Sequence, residues 1–258
     1  MMLEVKIRAE RILIGDRFSV SFQRTQRAAK DFHAYQKPPS WGALAAQPLS
    51  DYPRDISTVG DVKNAFLIPV ATEEAVWLGF GGAAWKPNAV KVGVGGRNAV
   101  TGKEWDEKLS TQRQDYLVCP PQLSLESIRT KDGSVSQIVA SSELSDAGDW
   151  EASRIRLIVY EPKRGIFPEQ PPARAAGEIN VLHSLPKLLL NDADDDALER
   201  RTKGEIHRDP YGLETWDPDI IGSISVYMVG HEQYRRITGH EPPPSPSPSA
   251  VYQGHYLP

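Results

Sequence analysis

A chain of 258 residues with 40% hydrophobic and 25% charged side chains carries enough apolar material for a sizeable core, as one large domain or two small ones. Its formal charge of −4 and pI near 5.9 supply no basic field for nucleic acid or an anionic membrane surface, and no stretch approaches the roughly 20 apolar residues that span a bilayer. A single cysteine, Cys119, excludes an internal disulfide framework. The start of the chain alternates charged with apolar residues where a signal peptide would be continuously apolar, so a cytoplasmic protein is expected.

The 20 Gly and 21 Pro favour many turns over long helices and predict a mainly β fold. Leu3, Val5 and Ile7, then Phe18, Val20 and Phe22, alternate with polar residues at the period of a half-buried strand; a hairpin turning at Gly15-Asp16 follows. The cations Arg24, Arg27 and Lys30 read as a solvated strand end. Residues 35–60 set Trp41 and Tyr52 among four prolines with no period, which is the mark of a strap over a sheet or of an exposed aromatic binding surface. Strands are expected over 66–70, with Pro69 at an edge or bulge, and over 75–80. In residues 77–106, the densest structural stretch, Val90, Val92 and Val94 predict a strand and Gly93-Val94-Gly95-Gly96 a tight turn or bulge. Trp77 or Trp85 is expected in the core, and Lys86, Lys91 and Arg97 in solvent unless an acidic partner covers them. Further strands are expected over 116–119, 135–139, 154–160 and 220–229, the last of these central.

Residues 162–172 are a composition break, expected as a linker or surface excursion. A helix is predicted over about 194–203, with acids at its start and Arg200, Arg201 and Lys203 at its end. The Pro/Ser run 241–249 is expected as extended polyproline or disorder. The resulting division is a β-rich body over 1–162, a Pro-rich excursion over 163–176, a short helix plus strand over 177–240 completing the same domain, and a tail over 241–258. The expected architecture is an antiparallel β-sandwich-like domain with one or two short helices and long Pro-rich loops.

Motifs that carry chemistry are incomplete. Asp192, Asp194 and Asp196 match the first three ligand positions of a calcium loop, but Ala197 and Lys203 stand where the turn glycine and the closing glutamate belong. The 93–96 glycines lack the spacing and the lysine of a phosphate loop. Cys119, in an apolar strand, reads as a buried hydrophobe. The most site-like stretch is 205–219, where His207, Asp209, Asp217 and Asp219 could do acid–base work near neutral pH, against a plain reading as turn-forming Asp-Pro and Tyr-Gly segments. The pairs Trp105-Asp106 and Trp216-Asp217 lie too far apart to set a propeller repeat.

Taken together, the blocks GDRFSVSFQRT, WKPNAVKVGVGGRNAVTGKEWDE, DYLVCPP, DPYGLETWD and ITGHEPPPSP resemble those of a group of uncharacterised bacterial proteins along nearly the whole chain. That resemblance implies a bacterial setting and no chemistry. The leading expectation is a non-enzymatic binding or self-assembly protein without a cofactor, whose partner is another protein or a second copy. Tyr252, Tyr256 and Leu257, beyond a stiff Pro-rich spacer, would be its anchors. The alternatives are a hydrolase or carbohydrate-active protein using residues 205–219 with Trp41 or Tyr52 as a platform, and a calcium-stabilised module.

Overall fold

Fifteen segments form strands in the computed structural model, which describes residues 1–28, 38–52, 63–140, 150–172 and 206–245. They are β1 (Val5–Arg8), β2 (Arg11–Ile14), β3 (Phe18–Gln26), β4 (Ala43–Leu44), β5 (Gln47–Pro48), β6 (Ala65–Pro69), β7 (Glu74–Gly81), β8 (Asn88–Val94) and β9 (Arg97–Asn98), followed by β10 (Leu117–Cys119), β11 (Ser124–Leu125), β12 (Ile128–Arg129), β13 (Val135–Ser136), β14 (Arg154–Pro162) and β15 (Trp216–Val229). One sheet runs β1-β2-β3-β7-β11, with β4 on β3; the other runs β10-β8-β14-β15-β6-β5, with β9 on β8. Between the named strands the pairing is antiparallel except where β6 lies parallel to β15, from Ser225 opposite Ala65 to Val229 opposite Pro69; Met2 adds an isolated parallel bridge to Ile221. The protein is mainly β, as expected, though not wholly antiparallel.

Strand alternation explains how the sheets meet. Ile14, Phe18, Phe22 and Leu78 of the first sheet share one buried cluster with Val92, Leu157, Val226 and Ile68 of the second, and Cys119 lies in the same cluster. Each such side chain contributes about 1.5–3 kcal/mol when fully withdrawn from water. The second sheet is covered on its other face as well. There Leu67, Tyr227 and Val229 pack beneath Tyr234 and Ile237 of the helix α1 (His231–Thr238), while Ile158 and Tyr160 pack beneath Tyr116 and Trp216. β15 lies between β14 and β6 and is thus central.

Three sequence readings are refined. The first hairpin is a three-strand meander: the turn at Gly15-Asp16 joins β2 to β3, and an additional turn at Ala9-Glu10 joins β1 to β2. Ala9 takes a positive φ of 52° there, a geometry its side chain does not advertise. α1 was not foreseen, because eight residues give its stripe of Tyr234, Ile237 and Thr238 too little length to establish a period. Gly239 closes it in the left-handed region at φ 70°, donating to the Arg235 carbonyl at 2.8 Å. Pro69 ends β6 beyond the reach of β5, which pairs only with Leu67 and Phe66. The helix predicted near 194–203 and the acids Asp192, Asp194 and Asp196 lie outside the described residues.

The Pro-rich excursion is attached to the body over its described part. Lys163 N–H donates to the Thr215 carbonyl at 2.8 Å, Glu169 pairs with Lys86 at 2.5 Å, and the Phe167 ring meets Tyr211 edge-on at 5.0 Å. Among the described residues no helix is long and apolar enough to cross a membrane.

Leu157 and Leu67 point to opposite faces of the second sheet and are both fully buried. Leu157→Ala and Leu67→Ala are each expected to cost about 2–5 kcal/mol in chemical denaturation. A near-neutral Leu67→Ala would show that the outer face is not a second core.

Candidate functional site

The outer face of the second sheet is prepared for one tryptophan. After β8, Gly95 and Gly96 turn the chain with φ of 56° and 72°, and Trp105 N–H then donates back to the Gly96 carbonyl at 2.9 Å. The indole of Trp105 lies against Gly93, where an added Cβ would come within 2.4 Å of the ring. Lys91 Nζ and the Arg156 guanidinium flank it at 5.7 and 5.9 Å from the ring centroid, within cation–π range. The glycines of this stretch therefore serve a turn and a close ring contact.

Lys91 is fully buried, contrary to its expected place in solvent, and Lys86 is 5% exposed. The acids that cover them come from the same chain: Asp115 at 2.7 Å from Lys91, and Glu169 for Lys86. A buried ion pair is tolerable only when its remaining bonds are made. Lys91 also donates to the Lys108 carbonyl, and Asp115 accepts from Ser110 N–H at 2.9 Å. These contacts tie residues 105–115 to the sheet.

A second polar hub fixes residues 207–216. One oxygen of Asp209 accepts from Tyr116 Oη at 2.6 Å and Trp216 Nε1 at 2.9 Å; the other accepts from the N–H groups of Tyr211 at 2.8 Å and Gly212 at 3.2 Å. Gln114 links the same stretch back to Tyr116, accepting from Asp209 N–H at 2.8 Å and donating to the His207 and Tyr116 carbonyls at 2.9 Å. Both carboxylate oxygens of Asp209 are thus used in holding the loop.

Between these two anchored segments lies a cleft of about 860 Å³. Ile158, Tyr160 and Ile221 come from its strands; Trp105 and Leu109 stand on one side, Leu213, Trp216 and Pro218 on the other. Asp106, Glu107, Lys108, Lys163, Glu214 and Asp219 complete the lining. The Tyr160 hydroxyl donates to the Glu107 carbonyl, joining floor to wall. Burial, reinforced by the charges of Asp115 and Glu107, holds the Tyr160 phenol well above its ordinary pKa; burial and the bond to Asp209 do the same for Tyr116.

The expected site residues are dispersed. Of the four in residues 205–219, only Asp219 lines the cleft. Asp209 is the loop hub, Asp217 accepts from Asp219 N–H at 2.8 Å, and His207 is half-buried with its N–H donating to Gln122 Oε1 at 2.9 Å. Trp41 pairs through its N–H with the Arg24 carbonyl at the first sheet, while Tyr52 packs against the cluster under α1; neither lines the cleft. Tyr252, Tyr256 and Leu257 lie outside the described residues. The lining residues missed from sequence, Trp105, Asp106 and Trp216 above all, carried one signal: the two Trp-Asp pairs 111 positions apart meet here, with three of their four residues at one cleft. Among the described residues no group of three or more His, Cys, Asp or Glu is placed to hold a metal ion. No protein-family model matches the chain, and no curated protein or solved structure gives a match.

Asp209→Ala would leave an indole N–H, a phenol and two backbone N–H groups without their acceptor. The expected loss is about 1–3 kcal/mol or more, with faster amide exchange at Tyr211 and Gly212; Asp217→Ala, which removes one turn contact, should stay within about 1 kcal/mol.

Raised phenol pKa values mean that the folded state holds these protons more tightly than the unfolded state. Their stabilisation is complete below the unfolded tyrosine value of about 10 and declines as pH rises above it. In an alkaline absorbance titration, Tyr116 and Tyr160 are expected to ionise only as the protein unfolds, and the Tyr160→Phe variant should lose one such late-titrating group.

Proposed function

We propose that this is a non-enzymatic β-sandwich binding protein, and that the cleft between residues 105–109 and 213–221 is where a segment of a protein partner docks. The observation that carries this reading is the division of labour around the cleft. Asp209, Gln114, Asp115 and Lys91 are spent on holding its walls in place, and the surface they frame is mainly apolar and aromatic: Trp105, Leu109, Ile158, Tyr160, Leu213, Trp216 and Ile221. Concave aromatic surfaces with a charged rim suit binding, since they bury a large area of ligand at low cost in side-chain entropy. Polar groups already committed to neighbours are poor proton carriers. A role for Tyr252, Tyr256 and Leu257 as anchors on a second copy is part of the same proposal. Removing residues 246–258 is expected to reduce the number of chains per particle in analytical ultracentrifugation, and an unchanged number would withdraw that role.

Leu109 and Leu213 are only half-buried, so they can be altered without emptying a core. The neutral apolar dye N-phenyl-1-naphthylamine is expected to brighten on binding at one site per chain. Leu109→Asp and Leu213→Asp should each abolish that signal while leaving the melting temperature within a few degrees of the parent. Dye binding that ignores both variants would place the binding surface elsewhere.

A further inference from the structure

We propose that the partner segment received by this cleft is basic: a Lys or Arg flanked by apolar side chains. The inference rests on the binding role assigned to the cleft and adds the chemistry of its occupant. Four carboxylates, Asp106, Glu107, Glu214 and Asp219, line the cleft against the two ammonium groups of Lys108 and Lys163. Lys163 is already directed to Glu214 at 3.6 Å. That leaves Asp106, Glu107 and Asp219, all exposed, with Lys108 as the remaining cationic lining residue among the described residues. The N-terminal ammonium of Met1 donates to the Asp219 backbone carbonyl and leaves its carboxylate uncommitted to it. Their placement is built in. Asp106 accepts from Lys108 N–H at 3.1 Å, the Glu107 carbonyl is taken by the Tyr160 hydroxyl, and Asp219 N–H is held by Asp217, a further carboxylate beside the rim.

An acidic rim around Trp105, Tyr160 and Trp216 suits a side chain with an apolar stem and a cationic head. The stem is covered by rings and by Leu109 and Leu213, and the head meets carboxylates at the edge, where it stays partly hydrated. The net charge of −4 on the whole chain has the same sign and favours encounter with a basic partner. An acidic or neutral segment of equal apolarity would lose the rim contacts, and an acidic one would also meet repulsion.

Three peptides of one apolar pattern test this by calorimetry on the full chain: Ac-Leu-Lys-Leu-Leu-Lys-Leu-NH2 and its Gln and Glu counterparts. The Lys peptide is expected to bind about tenfold or more tightly than the Gln peptide at low salt, with the gap closing toward 1 M salt as the rim is screened. The triple variant Asp106→Asn, Glu107→Gln, Asp219→Asn should erase that preference and leave the Gln peptide's affinity unchanged; Leu213→Asp should weaken all three. Equal binding of the Lys and Gln peptides would overturn the basic-segment proposal while leaving the cleft as a binding site. Failure of all three peptides to bind would overturn both.

Discussion

The second sheet is apolar on both faces, and everything around the cleft follows from the need to cover it twice. Along β14, Leu157 and Val159 point to one side and Ile158 and Tyr160 to the other, and all four are buried. The first sheet satisfies one side by face-to-face packing. Among the described residues no sheet covers the other side. α1 takes the end near Val229; Trp105 and Tyr116, brought in by loops, and Trp216, at the start of β15, take the opposite end. Loops cover a flat surface less completely than a regular element does, so a cleft remains where the two loop segments approach without closing.

Loops can act as walls only when their backbone and polar groups are satisfied, which accounts for the two hubs beneath them. Lys91 and Asp115 on one side, and Asp209 with Gln114 on the other, hold residues 105–115 and 207–216 through hydrogen bonds withdrawn from most solvent, those of Lys91, Asp115 and Asp209 charge-assisted. Asp209, a residue with the appearance of a catalytic acid, is the acceptor that holds this loop: each of its oxygens accepts two hydrogen bonds. Lys91 makes the converse point, since a lysine in an alternating strand reads as solvated until an aspartate 24 positions later is seen beside it.

Much of the strand framework was legible because burial on one side imposes a period of two. Val90, Val92 and Val94, then Ile155, Leu157 and Val159, announce their strands without help from the rest of the chain. Elements too short to show a period were not legible. β2 has four residues behind a turn at Ala9 that lacks turn chemistry, and α1 has eight with only one buried stripe. The site was partly legible. Residues 77–106 and 205–219 were the two stretches that stood out, and they do converge, but through Trp105, Asp106, Leu213 and Trp216 more than through the histidine and aspartates that suggested chemistry. Trp41 and Tyr52 lie outside that convergence.

By itself the sequence determined the inward sets of the central strands, Val90, Val92 and Val94 and then Ile155, Leu157 and Val159, since alternation and apolarity are local properties. Ile7, which alternates in the same way, is exposed at the sheet edge, and Lys91 is buried. The sequence also settled a mainly β body, the turn glycines and the buried character of Cys119. Tertiary structure alone decided direction and distance: that β6 runs parallel to β15, that Gly93 leaves room for a ring twelve residues further on, that Lys91 finds Asp115, and that two Trp-Asp pairs 111 residues apart share one cleft. Strand pairing and loop packing join residues distant in the chain, and their energies depend on what arrives opposite, which no window of the sequence contains.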